Sequence, residues 1–487
     1  MADHGITSFG AYIPRLRLQR SAVLEANTWA NAALAANGKG ERSMCNWDED
    51  SVTMAVEAAR DTLQDSDREA IGAVHLASTT LPFSDRQNAG IVAEALNLGE
   101  NIGTLDVTSS QRAGTTGLIN ALNTVAAGAA GTVLFCTSEH RKSQTGTPQE
   151  LLYGDGAAAL TLGNENVIAK VLGHHTVSVD FVDHYRGQGS DYDYDWEERW
   201  IRDEGYNKIV PSAVSAALDK AGVAAADIDR FILPCVLRRV PESIAKGLGL
   251  RDDAVVDTLQ AVCGDTGAAH AVVLLCRALE DAEPGQKILV TGFGQGCDVL
   301  LFEVTDAIRS LTPRSAVSGY LARRSAEANY DKYLTFNNLV AKDFGKRAEV
   351  DKQTALTTLF RNRKMLTGFI GGKCTKCGTI QFPKSHYCVN PNCGEADSQV
   401  DHPMADTGGK VNTWTADSLT FSIDPPAYFG MVQFDGGGRL MVDFTDVDKE
   451  TFDIGARVRM TFRVRDIDPE RGFRKYFWKA IQVDDAA

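Results

Sequence analysis

The sequence predicts a layered α/β domain followed by a metal-pinned ribbon and a small antiparallel barrel, on three observations. From residue 5 to about 306, short β-branched runs alternate with longer Ala-rich periodic ones, the pattern of sheets covered by helices. Four cysteines then bunch in "KCTKCGTIQFPKSHYCVNPNCGEADSQ". Beyond them come alternating, Gly-punctuated runs rich in β-branched and aromatic residues, as in a barrel of about five strands.

Taken in order, "AIGAVHLAS" reads as strand, "NAGIVAEALNLG" as helix, "TVLFCTS" as strand and "VPSAVSAALDKAG" as helix. "DRFILPC" is again strand, "TGAAHAVVLLCRALEDA" helix, and "QKILVTGFGQGCDVLLFEV" a strand, a glycine turn and a strand. The order recurs: strand, loop and small-residue helix around Gln111, then the same around Asp265, each half ending in a glycine-rich segment. Two such halves put their loops in one central cleft. Domain boundaries are expected at 1–165 and 166–307 for the two halves, 308–370 for a polar, partly helical connecting arm, 371–400 for the ribbon and 401–487 for the barrel.

At 487 residues, with 44% hydrophobic and 23% charged, the chain has the composition of a soluble globular protein. Its formal net charge of -14 disfavours nucleic acid as a partner. No apolar stretch reaches membrane-spanning length, and "MADHGITSFGAYIPRLRL" lacks the apolar core of a secretion signal. No membrane association is expected, and the cytoplasm is the expected location.

Cys374 and Cys377, then Cys388 and Cys393, give a C-x2-C…C-x4-C set with Gly378 and Gly394 placed for tight turns beneath the sulfurs. Two such knuckles converge on a tetrahedral soft-metal site, and zinc is the best match. Four protein ligands leave no open position, so this zinc is expected to be structural. His386 is surplus to it.

The segment "DVTSSQRAGTTGLINAL" runs from a strand through a sharp bend into a helix, where acyl-transfer enzymes often seat a nucleophile. That segment, with "GITSFGAYIPRLRL", "HLASTTLPF", "GTPQELLYGDGAAALTLG" and "GFGQGC", resembles the thiolase superfamily, and more narrowly hydroxymethylglutaryl-CoA synthases. The C-terminal part resembles DUF35-type zinc-ribbon plus OB-fold proteins that accompany thiolase-like enzymes. The resemblance implies a five-layered α/β/α/β/α thiolase fold of two pseudo-repeats and a coenzyme A thioester as substrate. It also implies a homodimer or larger assembly paired through an edge strand, with or without a partner thiolase-like subunit.

Carried over residue by residue, the catalytic positions depart from the family pattern. The cysteine seat holds Gln111, the acid/base glutamate's place holds Thr79, the histidine's place holds Ile232 with Cys235 three residues on, and the asparagine's place holds Asp265. Gln111 reads either as a residue bonding the bend or as an amide donor to a thioester oxygen. Cys235 reads as a buried inert thiol or a nucleophile, and Asp265 as a helix N-cap or, in a desolvated cleft, a general base. Gly294 is the expected backbone N–H contact to the thioester oxygen. The acidic tract "GQGSDYDYDWEERW" reads as a solvated surface loop.

These substitutions favour an acyl-CoA enzyme that makes or breaks a C–C bond without a covalent cysteine intermediate. Two alternatives stand beside it: a non-catalytic thiolase-like subunit needing a catalytic partner, and an acyltransferase using Cys235 as nucleophile.

Overall fold

The computed structural model describes residues 4–64 and 66–483. Its chain forms two compact units: Met1–Asn46, Asp50–Val92 and Gly99–Val340 make the first, and Trp47–Glu49, Ala93–Leu98 and Ala341–Ala487 the second.

A mixed sheet of nine strands runs through the first unit. In chain order these are β1 (Gly5–Tyr12), β2 (Ala73–Ala77), β3 (Gly103–Val107), β4 (Val133–Glu139), β5 (Gly156–Gly163), β6 (Ala169–Ser178), β7 (Arg230–Ile232), β8 (Lys287–Phe293) and β9 (Gly296–Val304). Across the sheet the order is β7-β8-β9-β6-β1-β5-β4-β2-β3. β2 lies parallel to β3 and β4, β4 antiparallel to β5, and β5 antiparallel to β1. On the other side β7 is parallel to β8, β8 antiparallel to β9 and β9 antiparallel to β6.

β2, β4 and β5 are buried along their whole length, which is why their sequences are near-continuous runs of small and apolar residues and not alternating ones. The helix Ser51–Leu63 (α1) packs on β1 and β5 with twelve of its thirteen residues buried. Asp50 caps it: its side chain accepts from the amides of Val52 and Thr53, and the Thr53 hydroxyl closes the box back to the Asp50 amide. A Cβ on Gly10 of β1 would stand 2.5 Å from the Thr62 amide nitrogen, so the missing side chain sets how closely α1 lies on the sheet. Ala113–Ala126 (α2) and His270–Glu280 (α3) complete the helices that matter to the site.

The polar segment after β9 is divided at Val340 between the two units. Its first part belongs to the first unit, where Tyr333, 1% exposed, packs with Leu18, Val23, Leu34, Met44 and Leu151.

In the second unit three short strands, β10 (Ile370–Cys374), β11 (Ile380–Gln381) and β12 (Gln399–Pro403), form the ribbon. Five antiparallel strands follow: β13 (Gly409–Asp417), β14 (Ala427–Phe434), β15 (Arg439–Asp443), β16 (Arg457–Asp468) and β17 (Phe473–Gln482), in the order β15-β14-β13-β16-β17. A bridge from Phe444 to Ala480 joins the two edge strands and turns the sheet toward closure. Val432, Met460, Phe462, Val464 and Trp478 fill the interior, and the Trp478 indole N–H donates to the Thr367 carbonyl at 2.8 Å. Among the described residues no helix is long and apolar enough to cross a membrane.

Candidate active site and metal centre

β3 ends at Val107, Ser109 takes a positive φ of 76°, and α2 begins at Ala113, so the bend expected before the small-residue helix is present. Gln111 lies on it. Its Oε1 is buried without a hydrogen-bond partner and faces Gly267, Glu139 and Arg141. Arg112 turns the other way: its guanidinium donates to Asp298 at 3.1 Å and to the Gly294 carbonyl at 3.0 Å.

The most informative segment is the end of β4, where three successive residues enter three surroundings. Glu139 is fully buried and accepts from the Thr79 amide and hydroxyl, each at 3.1 Å, the Thr80 hydroxyl at 2.5 Å and the Ala268 amide at 3.3 Å. Burial pushes its carboxyl above the ordinary range, against the pull of the Thr80 hydroxyl and Arg141. The hydroxyl of Thr79 is therefore engaged with this carboxylate.

Arg141, 4% exposed, donates through Nη2 to Asp265 at its carbonyl (3.0 Å) and its Oδ1 (3.2 Å). Its guanidinium carbon stands 3.6 Å from the Tyr153 ring centroid, and Nη1 is 3.9 Å from Asp193. Burial alone would raise the Asp265 carboxyl; Arg141, His270 and the Gly267 amide more than offset it and hold the group below the ordinary carboxylate range. Asp265 also accepts from that Gly267 amide at 2.6 Å, just ahead of the turn leading into α3. The acidic tract, read as a solvated loop, divides: Tyr194 and Trp196 are exposed, but the Asp193 side chain is 2% exposed between Arg186 (2.8 Å), Arg141 and Tyr153.

His140 points to a third cluster. Its amide donates to the Thr80 hydroxyl at 3.0 Å, and its Nδ1 lies 3.2 Å from Asp155 Oδ1. The other oxygen of Asp155 accepts from the Cys45 amide at 2.8 Å. A ligating atom of each of Cys45, His140 and Asp155 lies within 4.8 Å of the other two. Asp155 is fully buried, which by itself would raise its carboxyl; His140, Arg42 and the Cys45 amide reverse this and hold it below the usual range. A thiol, an imidazole and a buried carboxylate in this arrangement are the parts of a nucleophilic cysteine site. The expected chemistry without a covalent cysteine intermediate is corrected by this finding. The reading went wrong because it judged the chain by the four positions of the family pattern, held here by Gln111, Thr79, Ile232 and Asp265, while Cys45 stood among the scattered cysteines. The only local signal was a histidine directly after a buried strand.

The remaining expected residues are placed as follows. Cys235 is 4% exposed, donates to the Leu237 carbonyl at 3.8 Å, and has its thiol pushed up to about 12 by burial. Ile232 is wholly buried on β7. The Gly294 N–H donates to the Gly296 carbonyl at 3.1 Å within the β8–β9 turn.

In the ribbon, Cys374, Cys377, Cys388 and Cys393 bring their sulfurs within 4.8 Å of one another, with Cys374–Cys393 at 3.9 Å and Cys377–Cys388 at 3.5 Å. A tetrahedral ion with metal–sulfur distances of about 2.3 Å requires sulfur–sulfur edges of about 3.8 Å, so the set fits zinc. Gly378 and Gly394 have φ of 75° and 58°, which lets the chain fold under each knuckle. His386 is exposed and bonds Asp397 at 2.9 Å, away from the ligand set.

Comparison with known proteins agrees with both parts. Residues 218–300 match the 3-oxoacyl-[acyl-carrier-protein (ACP)] synthase III C-terminal family. Residues 368–398 match the ChsH2 rubredoxin-like zinc ribbon domain, and 402–463 the ChsH2 C-terminal OB-fold domain. The chain is 30% identical over 335 residues to the hydroxymethylglutaryl-CoA synthase of Aeropyrum pernix, spanning 68% of this chain and 92% of that one. It is 28% identical over 348 residues to that of Caldivirga maquilingensis, spanning 69% and 98%. Among solved structures it resembles 3-oxoacyl-(acyl carrier protein) synthase III of Pseudomonas aeruginosa PAO1, with a TM-score of 0.57, 22% identity and coverage of 63% and 98%. It also resembles MvaS in complex with 3-hydroxy-3-methylglutaryl coenzyme A, with a TM-score of 0.58, 20% identity and coverage of 70% and 93%. The chain thus belongs to the hydroxymethylglutaryl-CoA synthase-like branch of the thiolase superfamily, an acyl-CoA enzyme fused to a structural zinc ribbon and an OB-fold domain.

Proposed function

We propose that the protein is an acyltransferase that takes an acyl group from a coenzyme A thioester onto Cys45 and passes it to a carbon nucleophile. The observation that carries this is the cluster of Cys45, His140 and Asp155. His140 draws the thiol proton, held in orientation by Asp155 at 3.2 Å. The Cys45 thiolate then attacks the thioester carbonyl, the carbon–sulfur bond to coenzyme A breaks, and the departing thiolate takes the proton back from His140. Cys45 is 2% exposed, and the His140 side chain beside it is 19% exposed. The relatives' names, which are those of synthases acting on coenzyme A thioesters, support carbon–carbon bond formation as the second half.

The remaining expectations fit this reading. The strand order β2-β4-β5-β1 is mirrored by β7-β8-β9-β6, with the same sequence of parallel and antiparallel pairings, which supports two pseudo-repeats at 1–165 and 166–307. β3 is an unpaired edge of the sheet, suited to a homodimer or larger assembly. The four-thiol metal set of Cys374, Cys377, Cys388 and Cys393 suits a reducing cytoplasm.

The test is intact-mass measurement of the full chain after brief incubation with a panel of acyl-CoAs, followed by peptide mapping. An acyl adduct on Cys45, absent from Cys45→Ser, is the expected result. An adduct elsewhere, or none with any thioester that is turned over, overturns the assignment.

A further inference from the structure

The buried carboxylate of Asp155 faces two basic side chains at the same oxygen. His140 Nδ1 stands 3.2 Å from Oδ1 and Arg42 Nη2 stands 3.7 Å from it, and the Arg42 and Asp155 side chains are each 1% exposed. At 3.7 Å the guanidinium is beyond hydrogen-bonding distance, so it acts there as a charge. Its bonds go elsewhere: Nε donates to the Ser43 carbonyl at 3.2 Å, and Nη1 to the Glu150 carbonyl at 3.3 Å and the Tyr333 hydroxyl at 3.5 Å. The guanidinium carbon also lies 5.4 Å from the Tyr333 ring centroid, and the Tyr333 hydroxyl is hydrogen-bonded to that of Ser143 at 3.0 Å.

Tyr333 comes from the segment after β9, and sheet register accounts for its arrival. Ser325–Glu327 lies parallel to Leu16–Gln19, which lies antiparallel to Glu41–Met44, so that Leu18 stands between Glu327 and Arg42. The helix Tyr330–Phe336 follows and sets the Tyr333 side chain against the guanidinium. Drawing the thiol proton onto His140 creates an imidazolium and a thiolate in this buried cluster, and Asp155 holds the imidazolium only while it is itself ionised. Burial opposes that ionisation, and a guanidinium, charged at any working pH, supports it. Two further titratable groups face Asp155, the Cys263 thiol and the Tyr333 phenol; burial pushes both up and keeps them neutral.

We propose that Arg42 is a positioning residue for acyl transfer at Cys45 and that Tyr333 holds it in place, so that part of a segment expected to connect two domains serves the site of the first. This rests on the Cys45 reading above. Arg42 acts through Asp155, by fixing the charge that orients His140. A change at Arg42 therefore slows acyl transfer and leaves thioester binding alone, and it has nothing left to disturb once Asp155 is made neutral.

The experiment is single-turnover acylation of Cys45 in the full-length protein by acetyl-, butyryl- and octanoyl-CoA, read by quenched-flow mass spectrometry in Arg42→Gln, Asp155→Asn and the double variant. Arg42→Gln is expected to slow acylation by about tenfold or more at saturating thioester, with the half-saturating concentration unchanged within about twofold. Arg42→Lys, which keeps the charge, is expected to recover most of the rate. In the Asp155→Asn background, Arg42→Gln is expected to cost less than about twofold more. An arginine that only supported the fold would lower the melting temperature without this dependence on Asp155. Should Arg42→Gln fail to fold, because a buried carboxylate is left without its cation, Tyr333→Phe keeps the ring and removes only the hydroxyl. It is expected to slow acylation about threefold or more in the wild-type background but not in Asp155→Asn. Wild-type acylation by the folded variant, or losses that multiply in the double variant, overturns the proposal and leaves the nucleophile standing. A wild-type protein that takes no acyl group onto Cys45 from any of the three thioesters overturns the nucleophile, and the proposal with it.

Discussion

Arg141 holds Asp265 by two hydrogen bonds from a single nitrogen, one to the backbone carbonyl at 3.0 Å and one to the side chain at 3.2 Å. The contact ties the end of β4 to the turn that precedes α3, and the arginine side chain is 4% exposed. Removing one member of a buried ion pair leaves an uncompensated charge, at a cost of about 3–5 kcal/mol. Arg141→Ala leaves Asp193 with Arg186 as its remaining arginine, and is expected to lose stability in that range by urea denaturation. Asp265→Asn keeps an oxygen for the Gly267 amide and is expected to cost less, about 1–2 kcal/mol. Equal, small losses in both variants would show that the pair is not structurally coupled.

His140→Gln is expected to slow acylation of Cys45 by roughly 10²–10⁴-fold, the usual worth of a positioned general base. Quenched-flow mass spectrometry reads this directly. Cys235→Ser is the matching control and should acylate at the wild-type rate, since burial holds that thiol up to about 12.

Asp155 ties stability to its own ionisation. Its carboxyl is held below the ordinary range in the folded protein, so its contribution is complete above the unfolded value of about 3.9 and is lost as the pH falls through the folded one. Asp155→Asn is therefore expected to flatten the fall in melting temperature below about pH 4. An unchanged acid limb would mean that Asp155 titrates alike in both states.

Elemental analysis should find one zinc per chain, and Cys377→Ser should reduce it to near zero while lowering the stability of the ribbon, because structural zinc contributes folding energy outright. A second equivalent that persists in this variant and vanishes in Cys45→Ser would mean that the Cys45 cluster holds a metal, which excludes its proposed role as a free thiolate.

The sequence made the frame of this protein legible because local chemistry dictates it. Runs such as "TVLFCTS" and "TGAAHAVVLLCRALEDA" have only one sensible period, and they became β4 and α3. The four ribbon cysteines could be read because both knuckles are short and each is followed by a glycine. Cys45, His140 and Asp155 carry no such spacing. They belong to three separate segments, and only the packing of β4 and β5 beside the loop before α1 brings them together. Asp193 was misjudged for a related reason: composition marks an acidic tract as solvated, and cannot show that one of its carboxylates meets two arginines.

Glu139, His140 and Arg141 are neighbours in the chain, yet each answers to a different cluster. Side chains at a strand end alternate in direction, so deleting one residue within β4 would hand the clusters the wrong group, an imidazole where a buried carboxylate belongs and a guanidinium where the imidazole belongs, and adding one would put the carboxylate in the imidazole's place. Insertions and deletions are thus barred from this stretch, and only substitutions remain open to it. Length is free to vary instead at turns such as 187–190, which lie exposed. The site is addressed by counting residues, and variants of this chain that keep all three side chains but miscount β4 should be as inactive as those that lose them.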